Sequence, residues 1–238
     1  MHPVQTTRGT LGSFVIAIAT AFVIVALALP LFVNPLWVAF EQDRADAVTW
    51  TGFAPADLRF ATDEILADLV IGPPDFDVVV DGNAVLDARE RAHMRDVRGV
   101  FLGFFAIAIV LAAGAAIIGA RRGVVARART WGAIRIGALG LIVVLVAVGA
   151  IAFVAFDALF EVFHQMLFAG GSYTFDPTTQ RLVQLFPFQF WQDSAIAVGG
   201  VSIALAGLVA IASSGRATTA MPRTATTVGG ASARASTE

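Results

Sequence analysis

The sequence predicts an all-α membrane protein in which four transmembrane helices carry a small extracytoplasmic loop domain of helices and a short β-hairpin. Three observations carry that prediction. Hydrophobic residues make up 57% of the 238 and charged residues only 14%, a balance outside the range of ordinary soluble domains. Four apolar stretches, Leu11 to Val33, Gly99 to Ala120, Ile136 to Phe160 and Phe188 to Ala212, reach the roughly 20 residues a helix needs to cross a bilayer. The charges, finally, sort by segment. Residues 34–98 hold 13 acids against 6 Arg, whereas 121–135 carry Arg121, Arg122, Arg127, Arg129 and Arg135 with no acid.

The positive-inside rule places 121–135 in the cytoplasm and, by span parity, both termini with it. The loops 34–98 and 161–194 then lie outside. Residues 1–213 form the membrane domain with these two loops, and 214–238, rich in Thr, Ala, Ser, Gly and Arg without apolar periodicity, read as a disordered cytoplasmic tail. The first span is interrupted late by Pro30, tolerated near a helix end, and its length fits a retained anchor better than a signal peptide.

Within the first external loop, Pro55 opens a helical pattern of Leu58, Ile65, Leu66 and Leu69 that Gly72-Pro73-Pro74 stops. Asp77 to Val80 and Ala84 to Leu86 then flank Asp81-Gly82-Asn83, turn chemistry between β-branched runs. Asp87 with Glu90 three residues on forms a capping box, and the helix it starts runs unbroken into the second span. The second external loop crowds Phe168, Tyr173, Phe175, Leu185, Phe186, Phe188, Phe190 and Trp191, which suits a segment lying in the membrane interface. Asp176-Pro177 reads as the N-cap and first residue of a short helix ending at Phe186, and Pro187 separates it from the last span.

Composition removes whole classes of chemistry. With no Cys and no Lys, thiolate nucleophiles, Cys-ligated metals and Schiff bases are excluded. A net charge of -2 argues against a nucleic-acid partner. His2 lies on the cytoplasmic side, which leaves His93 and His164 as the external acid–base groups titrating near neutrality. They come from separate helices at matched depth. Asp96 follows His93 by three residues, and Asp157, Glu161 and His164 share one helix face. Carboxylates near the end of a span are costly facing lipid, and a carboxylate can orient an imidazole and stabilise its charged form. Arg89, Arg91 and Arg95 are candidates for substrate or lipid contact, as are Tyr173 and Trp191. The residues alone leave three readings open: acid–base catalysis needing neither metal nor cofactor, a metal-dependent hydrolase using both histidines and Glu161, and a non-enzymatic scaffold that binds lipid or a partner. Ser172 and Thr174 lack a nucleophile motif around them. A transporter is disfavoured, since spans one, two and four have no ionisable residue at their centres.

Two strings carry a family resemblance: Glu90-Arg91-Ala92-His93-Met94-Arg95-Asp96-Val97-Arg98, and Phe163-His164-Gln165-Met166-Leu167-Phe168-Ala169-Gly170-Gly171-Ser172-Tyr173-Thr174-Phe175-Asp176-Pro177, the latter closing with Leu185-Phe186-Pro187. With the four-span layout, the chain up to about Ser213 resembles the Lit family of bacterial integral membrane proteins, the lipoprotein intramolecular transacylases. The resemblance implies an acyltransferase of the bacterial cell membrane, working at the outer leaflet on diacylglyceryl-modified lipoproteins among membrane lipids. It would move the sn-2 acyl chain to the amine of the N-terminal cysteine and leave the lyso-form lipoprotein. The family's two histidines fall on His93 and His164. O-to-N transfer brings its own nucleophile, so the protein supplies a base, an acid and positioning. The expected base is His164 held by Glu161 or Asp157, and the expected acid His93 supported by Asp96, with the reverse assignment also open. Sharing one substrate asks the pair to approach within about 5 Å, directly or through a water.

Overall fold

The computed structural model describes residues 4–168 and 170–219. Its long helices are α1 (Val4–Ala28), α5 (Ala88–Ala120), α6 (Val124–Leu167) and α8 (Phe188–Thr219), and each includes a stretch long and apolar enough to cross a membrane. Between α1 and α5 lie a 3-10 turn at Leu29–Leu31, α2 (Pro35–Arg44), α3 (Ala47–Thr51), α4 (Pro55–Val70) and strands β1 (Val79–Val80) and β2 (Asn83–Ala84), and α7 (Arg181–Leu185) stands before α8. This is the four-span, all-α architecture with a two-stranded hairpin that the sequence predicts.

Each span behaves as its composition dictates. The bundle surface is studded with exposed apolar side chains such as Val110, Val143, Phe153 and Ile211, the lipid-facing set. Its interior is made of small residues, with Ala138 and Ala206 fully buried beside Ile24. Small residues let helix backbones approach, and in lipid that packing replaces the hydrophobic drive between helices. Gly137 marks the closest approach: a Cβ there would come within 2.8 Å of the Ala17 backbone on α1, and closer still to its carbonyl oxygen.

The capping box at α5 forms in full. Asp87 accepts from the backbone amides of Arg89 at 2.7 Å and Glu90 at 2.8 Å, and Glu90 accepts from the Asp87 amide at 2.7 Å. These bonds to the ionised form hold the Asp87 carboxyl below the usual range, the Glu90 amide contributing most. The hairpin pairs Val79 with Ala84 and Val80 with Asn83. Its turn is therefore Asp81-Gly82 alone, both at positive φ (51° and 75°), and Asn83 belongs to the strand. Two positive φ angles match the right-handed twist of tight hairpins, which Asp-Gly tolerates.

Four features depart from the sequence reading. Helices α2 and α3 fill a stretch left unassigned, with the Asn34 side chain capping α2 by accepting from the Leu36 and Trp37 amides at 3.0 and 3.1 Å and Pro35 following it. The second loop is not purely interfacial, because Leu185, Phe186 and Phe190 are buried in one core with Val38, Leu58, Ile65, Phe76, Leu86 and Met94. The short helix starts at Arg181 rather than at Pro177. Asp176 instead accepts from the amide and hydroxyl of Thr178 at 2.8 and 2.7 Å, closing a local turn that ends before the helix begins. Finally, α8 continues to Thr219 instead of ending at Ser213; the rest of the expected tail, residues 220–238, lies outside the described residues.

Candidate active site

Helices α5 and α6 are consecutive antiparallel spans that both pack on α1, and the start of one and the end of the other lie at the loop-domain end of the bundle. His93 occupies the second turn of α5 and His164 the last turn of α6. Their rings lie roughly parallel, inclined by 22°, with centroids 6.3 Å apart. The distance is between ring centres, so the facing ring edges are nearer than this.

Aromatic rings enclose both histidines. Phe168 and Phe175 pack on His93 at centroid distances of 4.8 and 5.3 Å, edge to face. Phe160, Tyr173, Phe163 and Phe168 surround His164 at 4.2, 5.2, 5.3 and 5.5 Å. His93 is 6% exposed and its Nδ1 has no hydrogen-bond partner, an arrangement that costs stability. His164 is half-buried, its Nδ1 2.7 Å from the Phe160 carbonyl oxygen one turn back.

The carboxylates behave differently from the sequence reading. Glu161 does not hold His164: its Oε1 accepts from the Tyr173 hydroxyl and the Gln165 amide, both at 2.9 Å. Its influence passes through Tyr173, whose ring lies against His164. That bond to a carboxylate raises the Tyr173 hydroxyl above its ordinary pKa. Asp157 and Asp96 are exposed, and neither hydrogen-bonds a histidine. Asp157 follows Ala155, whose non-helical backbone (φ -150°, ψ 49°) interrupts α6 and sets the outer segment apart. Among the described residues no three His, Cys, Asp or Glu side chains are grouped to hold a metal ion, and the proposed third ligand, Glu161, is turned toward Tyr173.

The arginines divide. Arg89 donates to the Thr174 carbonyl and to Gln180 Oε1 and lies 4.9 Å over the Phe175 ring. Arg91 pairs with Asp77 at 2.7 Å. Both therefore tie α5 to neighbouring loops, whereas Arg95 is exposed and forms no ion pair among the described residues. Trp191 donates to the Phe186 carbonyl at 3.1 Å and flanks Phe160 at 6.2 Å, so it borders the ring cluster from behind.

Three positioning residues escape the sequence reading in this role. The 2% exposed Glu90 also accepts the Leu182 amide at 2.7 Å, joining the α5 cap to the start of α7. Gln180 accepts from the Asp176 amide at 2.8 Å and donates to Asp87 at 3.2 Å. Phe160 presents the carbonyl that orients His164. Of the three, only Phe160 has a local signal in the sequence, its position four residues before His164 on the same helix. Together the first two seat the loop that lays Phe175 on His93.

A four-span bundle that brings two imidazoles together under an aromatic roof, at the foot of a folded loop domain, defines a membrane-integral protein with a paired-histidine site. The family described as lipoprotein intramolecular transacylase Lit matches residues 14–191, most of the chain, and the protein belongs to that family. The in meso structure of the lipoprotein intramolecular transacylase Lit from Bacillus cereus superposes with a TM-score of 0.73 at 18% identity, covering 90% of this chain and 98% of that one. Structures of the same Bacillus cereus protein with one histidine changed to arginine or to alanine give TM-scores of 0.71 and 0.69, each at 19% identity, over 90% and 88% of this chain and 94% of theirs. At such identities the likeness is one of fold. No curated sequence matches the chain.

Proposed function

We propose that the protein moves the sn-2 acyl chain of a diacylglyceryl lipoprotein onto the α-amine of its lipid-bearing cysteine, at the outer leaflet of a bacterial cell membrane with both termini cytoplasmic. The observation that carries this reading is the juxtaposition of His93 and His164 within an apolar ring cluster at the membrane end of the external domain. The amine nitrogen attacks the ester carbonyl, forming the C–N bond. The tetrahedral intermediate then collapses with cleavage of the bond to the sn-2 oxygen, leaving an amide and a free glyceryl hydroxyl. One proton leaves nitrogen and one arrives at oxygen, so two imidazoles suffice and no enzyme nucleophile is needed.

The hydrogen bond at His164 supports one assignment of the roles. A backbone carbonyl only accepts, so Nδ1 facing the Phe160 oxygen carries the proton in the neutral ring, and Nε2 keeps its lone pair. His164 is the base toward the amine, and His93 hands a proton to the departing glyceryl oxygen. Because both reacting groups belong to one molecule, orientation supplies much of the acceleration, with effective molarities on the order of 10⁵ M or more in well-aligned systems. The aromatic enclosure holds the bent headgroup while the acyl chains remain in lipid.

The test is mass spectrometry of a lipoprotein produced in a host lacking N-acylating enzymes. Expression of this protein is expected to convert the diacyl form to the lyso form, and His93→Ala or His164→Ala to lower conversion at least a hundredfold with membrane insertion intact. Unconverted lipoprotein with the wild type would refute the reading.

A further inference from the structure

The opposite end of the bundle holds a second site of a different kind. His164 stands 29 residues beyond Arg135 on α6, about 40 Å at 1.5 Å per residue, so what happens around Arg135 is remote from the histidines. Arg135, Leu139 and Ile142 follow one another at helical spacing on α6, and Gly207, Ala210, Ile211 and Ser214 do so on α8. These seven residues line a cavity of about 260 Å³. Because the helices are antiparallel, both put their polar member, Arg135 or Ser214, at the same end and their apolar members deeper in the bilayer. Gly207 keeps the groove open, since a Cβ there would meet nothing within 4 Å.

The charge around this groove has one sign. No acid occurs between Val97 and Phe156 or between Ser194 and Thr219. Arg135 is exposed and has no hydrogen bond or ion pair among the described residues. Arg216, by contrast, is stacked 4.9 Å over Trp131, one turn before Arg135 on α6. An unpaired guanidinium above an apolar slot between two spans matches an anionic headgroup with an acyl chain below it, since a phosphate gives Arg two charge-assisted hydrogen bonds and the chain fills the slot.

We propose that the α6–α8 groove binds one anionic glycerophospholipid, its phosphate on Arg135 and an acyl chain along Leu139, Ile142 and Gly207, independently of the chemistry at the histidines. The test uses the purified full chain in detergent with equal amounts of phosphatidylglycerol and phosphatidylcholine bearing identical chains, and counts retained lipid by native mass spectrometry. Wild type is expected to retain one phosphatidylglycerol in about tenfold preference. Arg135→Gln should bring that preference to near unity. Gly207→Leu should reduce retention of both lipids, and Arg129→Gln, which removes the same charge from the same end but not from the groove, should leave the preference in place. Equal retention of the two lipids by wild type, or unchanged preference in Arg135→Gln, overturns the site. An equal loss in Arg129→Gln does so too, by showing diffuse charge attraction. Competition by glycerol phosphate as effective as that by the whole lipid overturns the acyl-chain half.

Discussion

At the scale of single residues, His164 is oriented by a backbone carbonyl and its carboxylate neighbour acts at one remove. Glu161 accepts the Tyr173 hydroxyl, and the Tyr173 ring, not the carboxylate, touches the imidazole. The raised pKa of that hydroxyl keeps it a donor beyond the usual tyrosine value of about 10, so the contact persists through any neutral working range. Tyr173→Phe removes one hydrogen bond worth about 1 kcal/mol and keeps the ring, so the initial rate of lyso-form production is expected to fall by no more than about tenfold. Tyr173→Ala removes the ring contact as well and should fall further. Asp157→Asn, at an exposed position without a histidine contact, is expected to stay within about twofold of wild type, as surface changes do. A larger loss there would place Asp157 in the proton path after all.

At the scale of elements, the register of α5 is set by its first turn. Hydrogen bonds from the Glu90 amide, the Gln180 side chain and the Arg89 amide lower the Asp87 pKa, so its contribution to stability is present above about pH 4 and is lost as pH falls through its lowered folded-state value. Asp87→Ala should therefore cost about 1 kcal/mol at neutral pH, and its deficit against wild type should narrow in thermal unfolding below pH 4. Gly137→Val, driven against the Ala17 backbone, should destabilise the α1–α6 packing by at least about 1–3 kcal/mol, seen in the same assay. Elements written in local patterns were legible in the sequence: the spans, the Asp87–Glu90 cap, the Pro55 helix and the hairpin all announce themselves within a few residues. Span parity made legible that His93 and His164 lie at the same end of the bundle, but not that their rings meet, since α5 and α6 both pack on α1 rather than on each other. What sequence did not show depends on contacts between distant segments. The Leu182 amide meets Glu90, Gln180 meets Asp87, and Leu185 fills a core built by α2 and α4, pairings that no local pattern encodes. Glu161 was misassigned for the same reason, since helical spacing offers it to His164 but the loop offers it Tyr173.

At the scale of the whole molecule, the two long loop segments form one body. Phe76, Leu86 and Met94 from the first pack with Leu182, Leu185 and Phe186 from the second in a single core. Gln42 of α2 donates to the Leu185 carbonyl at 2.9 Å and to Thr62 at 3.0 Å. Arg44 pairs with Asp193 at the head of α8 at 3.2 Å, and Trp37 donates to Ser194 at 3.1 Å. These contacts tie the loop domain to the start of α5 and the head of α8. We propose that it faces outward, because the acid-free loop with Arg121, Arg122, Arg127 and Arg129 lies at the opposite end of the bundle and the positive-inside rule favours the cytoplasm for such a loop. The absence of native Cys makes this directly testable. In intact cells, Thr178→Cys in the second loop is expected to react with a membrane-impermeant maleimide, while Arg127→Cys between α5 and α6 should react only after the cells are opened. The reverse pattern would put the histidine pair on the cytoplasmic face, away from lipoproteins displayed outside. Both variants change exposed positions, so each should retain wild-type conversion of the diacyl lipoprotein and report on the working orientation of the protein.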